Sequence, residues 1–341
     1  MAFHRRPAQQ RGLDRSTRIT VVSTAAATVA AAFGAVPATA EPDGGADATK
    51  AKVDRLHTEA ERATEAYNKA DERADGLRGR VSRLQDRVAK GQARINTMRG
   101  ALGSLAGAQY RTGGIDPSLA LLLSDDPDTY LDKSATLDRI SLRQAGELTE
   151  LQRAQRALAQ ERAEAERVLA ELVKARASVA RHKRSVKSKL ARAQRLLNSL
   201  PAAERAAYED GAGADGELTG LSGAAASPRA AAALAAARQA VGRPYVWGAN
   251  GPSGFDCSGL TQWAYAQAGV SLPRTSQAQR YAGRQVPLGQ AQPGDLVAYR
   301  DDASHIGMYV GDGQVVHAPH PGASVRYDPV GMMPVSSVTR V

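Results

Sequence analysis

The sequence predicts a two-part chain: a long all-α coiled-coil hairpin, residues 41–198, followed by a compact α+β domain, residues 228–341. Three observations carry that prediction. Apolar residues recur at steps of three and four from Val53 to Leu105 without a break, which is the helical seam period. Composition changes near Ser227, where Lys vanishes and Gly and Pro rise. Beyond that point short helical segments are followed by alternating apolar runs, the order expected of an α+β unit.

The 341 residues suit about two domains. Hydrophobic residues make up 43% and charged residues 23%, which excludes a disordered chain and a polytopic membrane protein. The single Cys excludes an internal disulfide framework and a cysteine-rich metal site. The net charge of +10 divides as +4 over residues 1–40, +3 over 41–227 and +3 over 228–341. No basic cluster is interleaved with aromatics, so nucleic acid is not an expected partner.

Residues 1–40 read as a secretory signal peptide. Arg5, Arg6, Arg11, Arg15 and Arg18 form a positive leader, an Ala-rich uncharged stretch follows, and Ala38-Thr39-Ala40 is a cleavage pattern. No later stretch approaches the ~20 apolar residues of a membrane span. The mature chain is therefore expected outside the cell or in its wall, with no transmembrane span after signal cleavage.

In the hairpin, one heptad position holds Val53, Ala60, Tyr67, Ala74, Val81, Val88, Ile95 and Leu102. Its companion holds Leu56, Ala63, Ala70, Leu77, Leu84, Gly91, Met98 and Leu105. All but Gly91 are apolar side chains, and the intervening Glu, Arg, Lys and Asp read as a solvated flank that includes His57. Gly113, Gly114 and Pro117 break the helix, and Pro127 breaks the chain again. The second helix resumes near Tyr130 with Leu151, Leu158, Ala165, Leu172, Val179, Val186 and Ala193 at heptad spacing, beside less regular companions at Gln155, Arg162 and Leu169. An antiparallel pair is the expected arrangement, and a parallel dimer the alternative. Leu119–Leu123 between the helices reads either as a partner contact or as a cap on the tip. Residues 199–227 lose periodicity and are expected to be a flexible linker, with Ala202–Tyr208 able to dock.

Ser227-Pro228 opens a helix that runs through Gln239. A second helix starts at or near Cys257, whose thiol should be acidified there by the helix N-terminus. Asp295–Arg300, His305–Gly311, Gln314–Pro319 and Ser324–Val330 read as antiparallel strands. A thiolate nucleophile needs a base and a group that orients the base. A two-residue turn at Asp312-Gly313 places His320 opposite His305. A three-residue turn that includes Gly311 places His317 one diagonal from His305 on the same sheet face. Periodicity leaves His317 and His320 both open. No HExxH or other metal constellation is present, and no cofactor is expected.

Tyr245-Val-Trp-Gly248, Phe255-Asp-Cys-Ser-Gly-Leu260, Leu272-Pro-Arg-Thr-Ser276, Pro293-Gly-Asp-Leu296, His305-Ile-Gly-Met-Tyr309 and His317-Ala-Pro319 resemble the NlpC/P60 cell-wall peptidases over about residues 229–341. The resemblance implies a papain-like α+β fold and thiol attack on an amide of the peptidoglycan stem peptide. It implies Cys257 as nucleophile, His305 as general base and His317 as the residue that orients it. Tyr245 would lie near the oxyanion site, with Asp256 and Ser258 lining the substrate cleft. A coiled coil before such a domain is similar to secreted actinobacterial endopeptidases, some regulated by the membrane complex FtsEX, and implies cleavage between D-glutamate and the diamino acid. The competing expectation is an interaction protein whose coiled coil activates other hydrolases and whose C-terminal domain only binds cell wall.

Overall fold

The computed structural model describes residues 43–111, 119, 122–123, 130–210 and 224–341. The expected signal peptide, most of the hairpin tip and the Gly-rich half of the expected linker lie outside the described residues. Helices α1 (Asp43–Arg111) and α2 (Tyr130–Asn198) have 69 residues each. Ion pairs fix their sense: Arg73 meets Glu171, Arg80 meets Glu164 at 2.6 Å, and Arg94 meets Glu150. Residue numbers rise on one helix as they fall on the other, so the pair is antiparallel.

The seam follows the heptad pattern on α1, where Val53, Ala60, Ala74, Leu77, Leu84 and Ile95 are buried. On α2 it runs through Leu158, Leu172, Val186 and Ala193, and also through Val168 and Ala175. Leu169 is 49% exposed. Val168 and Ala175 project from one side of Leu172 at 100° per residue, and Leu169 from the other. The companion stripe on α2 is therefore displaced from the one the sequence suggests.

Within the expected linker, residues 199–210 dock on the hairpin, with Ala202–Tyr208 as the docking segment. Leu200 packs with Val53, Ala193 and Leu197. Helix α3 (Ala202–Asp210) then turns back, and Tyr208 Oη donates to Asp54 Oδ1 at 2.5 Å.

The remaining elements form an α+β domain. Helix α4 (Pro228–Gln239) is capped by Ser227, whose Oγ accepts from Ala230 N–H. Helix α5 (Cys257–Gln267) and the short α6 (Ser276–Gln279) follow. The strands are β1 (Arg284–Val286), β2 (Leu296–Tyr299), β3 (His305–Gly311), β4 (Gln314–His317), β5 (Arg326–Pro329) and β6 (Val335–Arg340). They form one antiparallel sheet in the order β1-β6-β2-β3-β4-β5. Strands β1 and β6 escape the sequence reading because β1 has three residues and the Val-Ser-Ser-Val-Thr-Arg run of β6 lacks clear alternation.

One sheet face buries Leu296, Ile306, Met308, Val310 and Val316 against α4 and α5. The other buries Val297, Tyr299, Val315 and Val338 under Met332 and Met333. His305 belongs to this second face, its ring 5.9 Å from that of Tyr299.

The β3–β4 turn reconciles the two register possibilities. Met308 faces Val316 and Tyr309 faces Val315, whereas Gly311 faces Gln314, with a register shift between. Asp312 and Gly313 both have positive φ, the geometry of a type I′ turn. A bulge beside this two-residue turn yields the longer register along the strands. His317 thus shares a face with His305.

Replacing Leu84, fully buried in the hairpin seam, by Ala should cost about 2–5 kcal/mol. Urea unfolding followed by helical circular dichroism measures the loss; an unchanged midpoint would contradict the seam.

Candidate active site

Cys257 is the first residue of α5, and Asp256 is its cap: Oδ1 accepts from Gly259 N–H at 2.7 Å. The cap faces the free ends of the first backbone N–H groups, so the thiol lies at the positive end of a helix dipole. The backbone N–H of Ile306, next to His305 at the start of β3, favours the thiolate.

His305 and His317 lie on neighbouring strands. Gly307 separates them on the face they share, and a Cβ there would come within 3.2 Å of His317 Cβ. Its absence lets the two rings meet at 2.8 Å between His305 Nε2 and His317 Nδ1. His317 Nε2 is in turn 2.7 Å from Asp328 Oδ2. Burial, His317 and Arg300 hold the His305 imidazole well below the usual histidine pKa. Burial also lowers His317, while Asp328 opposes that shift. His320 lies elsewhere: its ring stacks on His57 with centroids 4.6 Å apart, and its Nδ1 is 3.1 Å from the Pro321 carbonyl.

Asp256 does more than cap. Arg274 clamps it with two bonds, Nη2 to Oδ2 at 2.6 Å and Nη1 to Oδ1 at 3.0 Å, and also donates to Ser258 Oγ at 3.0 Å. Gly248 N–H donates to Oδ2 at 2.9 Å. A bidentate guanidinium supplies two charge-assisted bonds in one plane, which offsets the burial of both charges. Tyr245 is buried beside these groups; burial, then the charges of Cys257 and Asp256, push its phenol well above the usual value. Cys257, His305, His317, Tyr245, Asp256 and Ser258 therefore converge on one cleft.

That cleft is filled by α1. His57, Glu61, Glu65 and Asn68 fall on one helix face and are buried, although they read from sequence as solvated flank. Glu65 Oε1 accepts from Ser258 Oγ at 2.8 Å and lies 3.9 Å from the Cys257 sulfur; its Oε2 accepts from Ser276 N–H at 2.8 Å. Glu61 accepts from Arg300 at 2.5 Å, and its other oxygen lies 3.6 Å from His305 Nδ1. Asn68 donates to Asp256 Oδ2 at 3.1 Å. Arg62 and Asp302 pair at the rim at 2.7 Å.

The electrostatics follow from this packing. Burial raises Glu61 to about 7, against the pull of Arg300. Burial and Asp256 raise Glu65 to about 7, against its bonds from Ser258 and Ser276. The thiol is pushed well above its ordinary value, first by burial and then by Glu65, Asp256 and Glu61; the Ile306 N–H acts in the opposite sense. The expectation of an acidified thiol is therefore overturned in this arrangement. A helix N-terminus favours thiolate by ~1 kcal/mol, less than the cost of a third buried anion beside two carboxyls. His57 is not inert flank either: burial and His320 lower it to about 4.

Among the described residues, openings remain beside the plug. A cavity of about 490 Å³ lies toward His317, His320, Asp328, Arg300 and Tyr208. One of about 310 Å³ lies toward Gly248, Asn250, Gln262 and Arg274. Among the described residues no group of three or more His, Cys, Asp or Glu side chains is arranged to hold a metal.

Sequence reasoning passed over Arg274, Arg300, Asp328, Glu61, Glu65 and Asn68 as site residues. Arg274 lies in the Leu-Pro-Arg-Thr-Ser run, but no local signal pairs it with Asp256. Asp328 required the β4–β5 register, in which His317 faces Arg326. The Glu61–Glu65 spacing matches any solvated helix face.

Residues 242–339 match the family model described as NlpC/P60 family. A probable endopeptidase of Corynebacterium glutamicum is 49% identical over 105 residues, 31% of this chain and 50% of that protein. A probable endopeptidase of Mycobacterium tuberculosis is 50% identical over 99 residues, 29% of this chain and 26% of that protein. This chain thus spans half or less of these curated relatives. The solved structure of the peptidoglycan hydrolase RipB from Mycobacterium tuberculosis is 34% identical, covering 33% of this chain and 64% of that one, with a TM-score of 0.32.

Replacing Asp256 by Ala leaves the Arg274 guanidinium without its buried partner and α5 without its cap. The expected loss is about 3–5 kcal/mol of domain stability, read by urea unfolding. A loss under about 1 kcal/mol would place the pair in the class of surface salt bridges.

Proposed function

We propose that this chain, whose residues 242–339 match the NlpC/P60 family model, is a secreted cysteine endopeptidase of peptidoglycan whose helical hairpin holds it inactive. One observation carries the reading: a helix from outside the domain sets Glu65 3.9 Å from the Cys257 sulfur and Glu61 3.6 Å from Nδ1 of His305, which is itself paired with His317.

In the proposed reaction the Cys257 thiol passes its proton to His305 Nδ1, and the sulfur attacks the amide carbonyl carbon. An S–C bond forms; the C–N bond breaks as the imidazolium returns its proton to the leaving amine. Water then gives a proton to His305 Nδ1 as it attacks the thioester carbon; the C–S bond breaks, the sulfur takes that proton back, and the acid product leaves. His317 orients His305, and Tyr245 borders the developing oxyanion. Withdrawal of α1 frees the Ser258 hydroxyl from Glu65 and Asp256 Oδ2 from Asn68, so both can bind substrate.

The bond we favour joins D-glutamate to the diamino acid. The Glu65 carboxylate, held by Ser258 and Ser276 N–H, occupies a position suited to an acidic substrate group. The Arg-rich leader and Ala38-Thr39-Ala40 support export to the wall. Release then needs a force on the hairpin, for which a membrane regulator such as FtsEX is the proposed partner.

The test is mass spectrometry of purified peptidoglycan incubated with the full chain, its Glu61→Ala/Glu65→Ala variant, and that variant with Cys257→Ala. The double variant should release stem-peptide fragments at least about tenfold faster than the parent, because truncating one side of a buried charged contact costs ~2–5 kcal/mol. Fragments should vanish with Cys257→Ala. Equal rates from parent and double variant would overturn the plug. Fragments that survive Cys257→Ala would overturn the nucleophile, and a folded double variant that releases none would overturn the peptidase.

A further inference from the structure

We propose that Asp328 is a positioning residue for catalysis: through His317 it sets which nitrogen of His305 is free to accept the thiol proton. The inference rests on the peptidase reading above and adds a fourth member to its machinery.

Three adjacent strands contribute one polar residue each to a continuous line. His305 opens β3, His317 closes β4, and Asp328 lies on the edge strand β5, two residues beyond the direct partner of His317. The separations are 2.8 Å from His305 Nε2 to His317 Nδ1 and 2.7 Å from His317 Nε2 to Asp328 Oδ2. Arg326 Nε donates to the same Oδ2 at 2.9 Å. Burial pushes the Asp328 carboxyl up, but the bonds from His317 and Arg326 outweigh it, so Asp328 stays below the usual carboxylate range.

An ionised carboxylate only accepts. The proton on His317 must therefore reside on Nε2, which leaves Nδ1 as a lone pair. That lone pair accepts from His305, so the His305 proton must reside on Nε2. His305 Nδ1 is then bare, and it is the ring nitrogen buried without a hydrogen-bond partner. Its neighbour across the cleft is Glu61 Oε1 at 3.6 Å. The chain of acceptors, anchored at Asp328, thus delivers a base-competent nitrogen to the cleft. Reversing the chain would put a proton on Nδ1 and block it. Once His305 is protonated, both its nitrogens donate, and the Asp328 charge stabilises the imidazolium through His317.

Asp328→Asn is the discriminating change, because its amide can turn an N–H toward His317 Nε2. In serine-protease triads a carboxylate-to-amide change lowers kcat about 10⁴-fold through the wrong tautomer. With a second histidine interposed, we expect about 10- to 100-fold here. Three readouts follow. Nitrogen-15 spectra of the full chain should show His305 and His317 protonated at Nε2, and protonation shifting toward Nδ1 in Asp328→Asn. In the Glu61→Ala/Glu65→Ala background, alkylation of Cys257 by iodoacetamide should need higher pH when Asp328→Asn is added. Peptidoglycan digestion in that background should lose kcat at constant KM, with recovery in Asp328→Glu.

Unchanged tautomers and an unchanged alkylation profile would overturn the proposal, leaving Asp328 a strand-edge partner of Arg326. The first two readouts need no substrate. If they respond as expected but no variant digests peptidoglycan, the peptidase reading fails while the tautomer control stands.

Discussion

The contact between Glu65 and Cys257 governs the rest of this structure. Two acidic groups cannot both ionise in a buried site a few ångströms apart without a large electrostatic cost. Glu65 already shares the site with Asp256, and Glu61 lies one helical turn away. The thiol is the weakest acid of the group and so keeps its proton. Docking of α1 therefore does two things with one helix face. It fills the space beside Cys257, and it keeps the sulfur in its protonated form. The charges of the docked face are met by the domain's own donors, namely Ser258, Ser276 N–H and Arg300. The hairpin fits because it uses the polar groups that line the cleft.

The domain behind the plug is organised around buried charge as well. Arg274 and Asp256 satisfy one another almost completely, and Asp256 also holds the first turn of α5 and the Gly248 backbone. One carboxylate thus fixes the helix that carries the thiol, the loop that leads to it and the arginine from the next segment. The histidine line depends on sheet register instead. The bulge beside the Asp312-Gly313 turn shifts β4 so that His317, and not a loop residue, comes level with His305. Gly307 supplies the room between the rings.

Most of the framework was legible in the sequence because it rests on local signals. The heptad on α1 has no competing period, the Ser227-Pro228 and Asp256 caps are short-range, and the apolar runs from Leu296 to Val316 are set off by turn residues. The choice between His317 and His320 was not legible, since it turns on a bulge that both turn lengths anticipate only in part. Asp328 was hidden because it sits on a strand whose residues are all at least partly exposed, with no apolar stripe to set its register. The plug was least visible of all. His57, Glu61, Glu65 and Asn68 have the spacing and polarity of a solvated coiled-coil flank, and only the partner surface makes them buried. The acidified thiol expected from the helix N-terminus failed for the same reason: the opposing carboxyls come from nearly two hundred residues earlier in the chain.

The most direct test of this account is the pH dependence of Cys257 alkylation in the full chain, since it is the single cysteine. With α1 docked, the rate should keep climbing beyond pH ~9, because burial and the neighbouring carboxyls hold the thiol protonated. In Glu61→Ala/Glu65→Ala the midpoint should fall to about 8.5 or below, the range of a free or helix-assisted cysteine. Superimposable profiles for the two proteins would contradict the claim that the hairpin controls the thiol.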